Sequence, residues 1–348
     1  MKAGFIRAAK AWEKDTCINF TLVETVEKAR EMDYLYVTYD ENETEACMSH
    51  VGKFGGYQPI YLGKGCEAFP HAAHEVGHAL GMYHTQTRHD RDKYIRLLDA
   101  FIAPQLIPLH VQKEYAEQFA ILTEQQNENY GFPYDYGSIM HIYFYYYSGS
   151  AVEEPWMVPT DPNYKTTMGS PFISFIDLFM MNKHYNCTDN CPPEKSANCE
   201  NGGFPHPRRC NECICPGGYG GKLCNRLPED CQQGKEVKAT PTWNEFQEVF
   251  KDPKNDGTYS TCTYWITAPD NKKIEVKVVS VHTKATIGCA RGGVEIKANA
   301  NHTLTGYRYC VEPEDEITIK SNSSRVPVIL YTGQLFATVA NLEYRYVD

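Results

Sequence analysis

His74-Glu75-Val76-Gly77-His78-Ala79-Leu80-Gly81-Met82-Tyr83-His84 decides how this chain is read. The stretch follows HExxHxxGxxH, with three imidazoles and one carboxylate at fixed intervals. His74 and His78 are four apart, so on an α-helix they stack on one face and both rings can reach one metal ion. His84 comes six residues later, about 600° of helical rotation, and on a continuing helix it would point well off that face. The helix must therefore end between them. Gly81 stands where a left-handed residue can end it, and the turn brings His84 round as a third ligand. Three neutral imidazoles leave one position of a zinc ion open, which marks a reactive site rather than a closed structural one. Such an ion lowers the pKa of water to about 7. Glu75, beside the first ligand, is placed as the general base. HExxH alone occurs on many surface helices; Gly81 and His84 at set distances make the pattern specific. The expectation is one Zn2+ per chain. The remaining histidines, His50, His71 and His141 among them, carry no such pattern and are read as surface or hydrogen-bonded structural residues.

A second element agrees. Ser138-Ile139-Met140-His141 follows the polar, aromatic turn Tyr134-Asp135-Tyr136-Gly137. It resembles the Met-turn of metzincin proteases, in which a methionine, here Met140, forms an apolar floor beneath the ligands by packing rather than ligation. The run HEVGHALGMYHTQTRHDRD, with YDYGSIMH downstream, resembles the astacin family of secreted zinc endopeptidases. Further matches lie at 16–20, 51–56, 58–63 and 174–187, so the resemblance covers nearly all of residues 1–187. It implies an α+β, two-lobed, zincin-like catalytic domain with its cleft between the lobes. It also implies His74, His78 and His84 as zinc ligands and Glu75 as catalytic base. The strand Gln58-Pro59-Ile60-Tyr61-Leu62 would hold extended substrate by strand pairing. The aromatic run 143–147 is assigned to core packing.

Three positions depart from the family pattern. The Tyr that usually follows the Met-turn His, a movable zinc ligand and oxyanion donor in the family, is Ile142 here. Loss of one oxyanion donor typically costs about 10²–10³ in rate. The Glu that usually follows the third His, and anchors the matured N-terminus, is Thr85. The chain also starts close to a first helix, whose stripe is Phe5, Ala8, Ala9 and Trp12. The family pattern would place a further strand, a pro-segment and a signal peptide before it.

The chain has 348 residues, room for two or three domains, and a formal net charge of −10. No run of Lys and Arg forms a basic patch, so nucleic acid is not an expected partner. No stretch of about 18 apolar residues suits a membrane span. The opening MKAGFIRAAKAWEKD lacks the apolar core of a signal peptide. Fourteen cysteines, clustered by segment, point to a disulfide framework and a secreted protein. Sequons at Asn19, Asn42, Asn301 and Asn322 point the same way, as does the weaker one at Asn186 beside Cys187.

The cysteines fall into groups of four, six and four. For Cys17, Cys47, Cys66 and Cys187, spacing alone leaves three pairings open. The resemblance selects Cys17–Cys187 and Cys47–Cys66. The second group, Cys191, Cys199, Cys210, Cys213, Cys215 and Cys224, lies in a stretch with no apolar run, so disulfides must stand in for a core. Cys210-x-x-Cys213 allows a zinc ribbon. Six cysteines and the glycine-rich tail 216–221 instead resemble an EGF-like module, pairing first–third, second–fourth and fifth–sixth. Residues 231–348 alternate β-branched and aromatic runs with turns, which reads as a β-sandwich, with Pro327 at a strand start or edge. Cys231, Cys262, Cys289 and Cys310 with CTYWITAP resemble a CUB domain, paired Cys231–Cys262 and Cys289–Cys310. The acidic residues that would bind calcium in either module are missing.

The expected layout is a catalytic domain at 1–187, an EGF-like module at 188–225 and an all-β CUB sandwich at 231–348, an order seen in nematode members of the family. The expected function is hydrolysis of extended polypeptides, with matrix or cuticle proteins as candidate substrates and protein partners reached through the CUB and EGF-like modules. The alternative is a weak or inactive protease acting as an extracellular binding protein, motivated by Ile142 and Thr85.

Overall fold

The computed structural model describes residues 1–23, 25–39, 41, 45–98, 118–142, 157–251, 258–313, 315–333 and 336–348. Helix α1 (Lys2–Lys14) buries Ala8, Ala9 and Trp12, while Phe5 is half-buried at the edge of the same face. It packs on the helix that carries His74 and His78. The Trp12 indole N–H donates to the Ala73 carbonyl at 2.9 Å, so its polar end is satisfied inside the core. After the single turn α2 (Val26–Ala29) comes a sheet in the order β1 (Tyr34–Thr38), β3 (Tyr57–Leu62), β2 (Cys47–Ser49). Strand β3 runs parallel to β1 and antiparallel to β2. Its Ile60 and Leu62 join Ala72, Val76 and Met140 in one apolar cluster under helix α3 (Phe69–Ala79). Cys47–Cys66 ties β2 to the turn that starts α3.

Among its described residues, the lower lobe holds one strand pair and one α-helix. Strands β4 (Ile95–Leu97) and β5 (Met157–Pro159) pair antiparallel, and helix α4 (Phe175–His184) closes the lobe. Ser174 caps α4: its hydroxyl accepts from the Asp177 N–H while the Asp177 carboxylate accepts from the Ser174 N–H, a reciprocal capping box. Cys17–Cys187 joins the two ends of this unit across 170 residues. Closing so long a loop restricts the unfolded chain by roughly 5 kcal/mol in the chain-entropy account.

The cysteine-rich stretch that follows holds a short hairpin, β6 (Phe204–His206) and β7 (Arg209–Ile214). Its bridges are Cys191–Cys210, Cys199–Cys213 and Cys215–Cys224. Phe204 and Ile214 pack on Phe175 and Ile176 of α4. Arg208 donates to the carbonyls of Thr16 at 2.7 Å and Ile18 at 2.6 Å, placing a cation on chain just past the C-terminal end of α1.

The C-terminal unit is a sandwich of two sheets. One has the order β13 (Tyr307–Tyr309), β12 (Gly292–Ile296), β15 (Arg325–Gly333), β10 (Tyr259–Thr267), β8 (Glu236–Lys238). The other runs β14 (Ile317–Lys320), β11 (Lys273–His282), β16 (Ala337–Val347), β9 (Asn244–Lys251). Cys231–Cys262 and Cys289–Cys310 brace it. Pro327 sits in β15, an interior strand rather than an edge. It is tolerated because it stands near the strand start, opposite chain where β12 has ended; its carbonyl still accepts from the Lys297 N–H at 2.9 Å.

The sandwich and the lower lobe share one apolar core. Tyr136 stacks on Tyr164 at 4.1 Å, and Tyr164 leans on Tyr307 at 4.6 Å. Asp135, 2% exposed, accepts from both the N–H and the hydroxyl of Thr305. No helix among the described residues is long and apolar enough to cross a membrane.

Candidate metal centre

Helix α3 presents His74 and His78 from successive turns, and Gly81 ends it. Gly81 has φ +105°, its N–H bonds to the His78 carbonyl and the Met82 N–H bonds back to the Gly77 carbonyl. This is the paired pattern of a Schellman cap, and it reverses the chain toward the cleft. His84 then returns to the metal face. Its Nε2 lies 3.1 Å from that of His74 and 3.0 Å from that of His78. Ligands about 2.0–2.1 Å from a tetrahedral zinc ion stand about 3.4 Å apart, so the spacing fits such an ion after slight opening.

The second ring nitrogens of His74 and His78 are committed elsewhere. His74 Nδ1 donates to the Ile139 carbonyl at 2.7 Å, and His78 Nδ1 to the Met82 carbonyl at 2.8 Å. These bonds leave the Nε2 lone pairs of both rings facing the same point. Burial holds His74 near pKa 3 and His78 near 4, and lowers His84 well below its ordinary value. All three rings are therefore neutral, as metal ligands must be. Among the described residues this triad is the one group of histidine, cysteine and acidic side chains that converges in this way.

Glu75 is 5% exposed and lines the same cleft. Its Oε2 has no hydrogen-bond partner among the described residues, and burial raises its pKa to about 8. A dication beside it favours the charged carboxylate and opposes that shift. Met140 is fully buried in the apolar cluster that packs against α3. A Cβ at Gly77 would lie 2.5 Å from its sulfur, so the glycine inside HEVGH is what admits the methionine.

Behind the triad, Asp177 anchors the Met-turn. One of its oxygens accepts from the Ile139 N–H at 2.8 Å, the other from the Ser138 hydroxyl at 2.5 Å. Thr85, at the position where the family has Glu, donates to Ser138 at 2.9 Å. The extension after His84 is structural: Arg88 pairs with Asp90 and donates to the carbonyls of Phe132 and Pro133, while Arg91 donates to those of Gln86 and Phe119.

Sequence reasoning missed Asp177, although Ser174-x-x-Asp177 before an apolar run signals a helix start. It also set His50, His71 and His141 aside; all three line the cleft, His71 one turn before His74. It misplaced the pairing strand. Gln58 to Leu62 form the centre of their sheet, with both edges occupied by β1 and β2; Tyr61 reaches the cleft, but the edge strand beside it is β2, whose Cys47, Met48 and Ser49 line it. Ile142 does face the cleft, with an apolar side chain and its N–H bonded to Gln86. The run 143–147 and Asn42 lie outside the described residues. Asn19, Asn301 and Asn322 are exposed.

The family pattern of Astacin, a peptidase family, matches residues 1–186. The chain belongs to the astacin family. Astacins are zinc metalloendopeptidases, and the His74, His78 and His84 triad fits the zinc they use. The chain is 42% identical to zinc metalloproteinase nas-31 of Caenorhabditis elegans, over 99% of its own length and 53% of that protein's. It is 35% identical to zinc metalloproteinase nas-23 of the same organism, over 100% of its own length and 62% of that protein's. The chain thus spans between about half and two thirds of the length of these two relatives. Among solved structures, this astacin is similar to high choriolytic enzyme 1, a hatching enzyme zinc-protease of Oryzias latipes, at 30% identity. That match has a TM-score of 0.43 and covers 53% of this chain and 82% of that one.

Proposed function

We propose that this chain is a secreted zinc endopeptidase that hydrolyses peptide bonds in extracellular proteins. The observation that carries the reading is the convergence of three neutral imidazole nitrogens, with Nε2 separations of 3.0 and 3.1 Å, in one cleft with Glu75, whose buried Oε2 has no partner among the described residues. Zinc, when bound, supplies Lewis acidity toward water and the scissile carbonyl. Glu75 takes the proton of the attacking water and delivers it to the departing nitrogen. The exposed edge of β2 pairs with an extended substrate, which aligns the scissile bond over the triad. The cleft, about 600 Å³, takes a polypeptide in that form.

The bridges Cys191–Cys210, Cys199–Cys213 and Cys215–Cys224 support an EGF-like module at 188–225, and the two-sheet sandwich supports a CUB domain at 231–348. These modules bind protein partners, with matrix or cuticle proteins as candidate substrates. Seven disulfides and no free cysteine among the described residues support an extracellular setting. Asn19, Asn301 and Asn322 are candidate glycan sites; at Asn301 the Thr303 hydroxyl donates to the side-chain carbonyl at 2.6 Å.

Metal analysis together with cleavage of an unfolded protein, with and without a chelator, tests the proposal. One zinc per chain and chelator-sensitive cleavage are expected. Ile142 in the cleft supports the alternative of an extracellular binding protein with little activity. That reading holds instead if the protein carries one zinc and cuts nothing.

A further inference from the structure

The metal cleft is lined from the lower lobe by Ile142, Gly169 and Ser170. Gly169 and Ser170 lie between Tyr164 and the start of α4, in a stretch with neither helix nor strand to hold its shape. What holds it comes from the C-terminal sandwich. Arg308, in β13 and 4% exposed, donates from Nη1 to the Ser170 hydroxyl at 2.8 Å. Its Nε donates to the Glu295 carboxylate at 2.9 Å, which fixes the guanidinium from behind. Its main-chain N–H donates to the Thr167 hydroxyl at 3.0 Å, and its carbonyl accepts from the Thr166 hydroxyl. The guanidinium carbon sits 5.3 Å from the centre of the Phe172 ring, which in turn packs edge-on against Tyr259 and Tyr331 of the sandwich. A second contact presses on the same place: a Cβ at Gly288 would stand 2.3 Å from the Gly169 carbonyl oxygen.

Ser170 is thereby saturated. Its hydroxyl accepts from Arg308 and from the Phe172 N–H at 3.1 Å, and donates to the Phe172 carbonyl at 3.2 Å. A turn closed by one hydroxyl, with that hydroxyl pinned by a buried arginine, has one position rather than several. Resting on the endopeptidase reading above, we infer that Arg308 is a positioning residue for the substrate cleft. It holds the 166–172 segment so that Gly169 and Ser170 form a fixed wall beside the triad, and the sandwich thereby sets which substrate side chains fit there. The C-terminal unit acts on the choice and affinity of substrate through the cleft wall itself, not only by capturing partners elsewhere.

The test uses the full chain, zinc-loaded, with variants S170A, R308K and R308M, and with Y307F as a control. S170A removes the acceptor while leaving the Arg308–Glu295 pair intact, so it stays informative if R308M does not fold. Y307F removes the hydroxyl that donates to Asp161 and Asn299; among the described residues, neither of those hydrogen bonds reaches 166–172. Three readouts are taken: cleavage of a peptide library, inhibition by tripeptide hydroxamates of varied side chain, and amide exchange at Phe172. S170A and R308M should raise KM and weaken hydroxamate inhibition about tenfold with kcat within about twofold, a loss of binding rather than of chemistry. They should also broaden side-chain preference and speed exchange at Phe172. R308K should recover part of this, and Y307F should lower Tm with preference unchanged. Wild-type KM, preference and inhibition in S170A and R308M would overturn the inference, as would equal changes in Y307F. If the wild-type protein cleaves nothing, the endopeptidase reading fails, while hydroxamate binding and exchange still decide this one.

Discussion

His74 and Ile139, 65 residues apart in sequence, are joined by a 2.7 Å hydrogen bond from the imidazole Nδ1 to the main-chain carbonyl. The first of the candidate ligands is thus oriented by the 138–141 turn. The turn is in turn held by Asp177, which accepts from the Ile139 N–H. Asp177→Asn keeps the shape but turns an amide toward donors. We expect a loss of zinc affinity of about 10–100-fold, the usual order for a group one step behind a ligand. Competition with a zinc chelator measures it; unchanged affinity would show that Ile139 is held without Asp177.

The same carboxyl predicts an unusual pH dependence. Burial lifts Asp177 to about pKa 6, against hydrogen bonds from Ser138, Ser174 and Ile139 that favour its charged form. In the unfolded chain it ionises near its ordinary value of 3.8. Between these values the folded state binds the proton more tightly, so this group's contribution to stability grows as pH falls from about 6 toward 4. Above pH 6 the cost of the buried charge is fully present, roughly 3 kcal/mol at most. Wild type should therefore exceed Asp177→Asn in stability by more at pH 4.5 than at pH 7. Paired denaturant titrations at the two pH values cancel the shared histidine contributions and read this difference directly.

Ile142 sits in the cleft where a hydroxyl could assist the oxyanion, and it offers only a hydrocarbon surface. Ile142→Tyr should raise kcat by about 10-fold or more if the phenol reaches the developing charge, since one such donor is typically worth about 10²–10³. KM and zinc content should change little. Steady-state kinetics on one extended peptide checks it, and an unaltered kcat would show that this position does not limit turnover.

What could be read from sequence was what repeats at short range. His74, His78 and Gly81 obey helix geometry, and the cap at Gly81 follows from φ alone, so the triad was legible in eleven residues. The stripe Ala8, Ala9 and Trp12 marked the buried face of α1 for the same reason. The anchor Asp177 carried a local signal, the capping box, but its bond to Ile139 spans 38 residues and no periodicity announces it. Arg308 reaches Ser170 across 138 residues and looks like any strand arginine until the sandwich docks. The family resemblance marked Gln58 to Leu62 as a strand but said nothing of its neighbours. Which strand lies at the edge depends on β1 and β2, whose pairing is a property of the assembled sheet.

The most direct test of the whole account is Glu75→Gln, assayed for zinc content and for peptide cleavage in the same preparation. The metal-holding triad is His74, His78 and His84, and under the proposed mechanism Glu75 carries the proton rather than the ion, so the variant should keep one zinc per chain. Cleavage should fall by about 10²–10⁴, the usual range for a lost general base. A variant that still cuts at the wild-type rate, with zinc in place, would contradict the account.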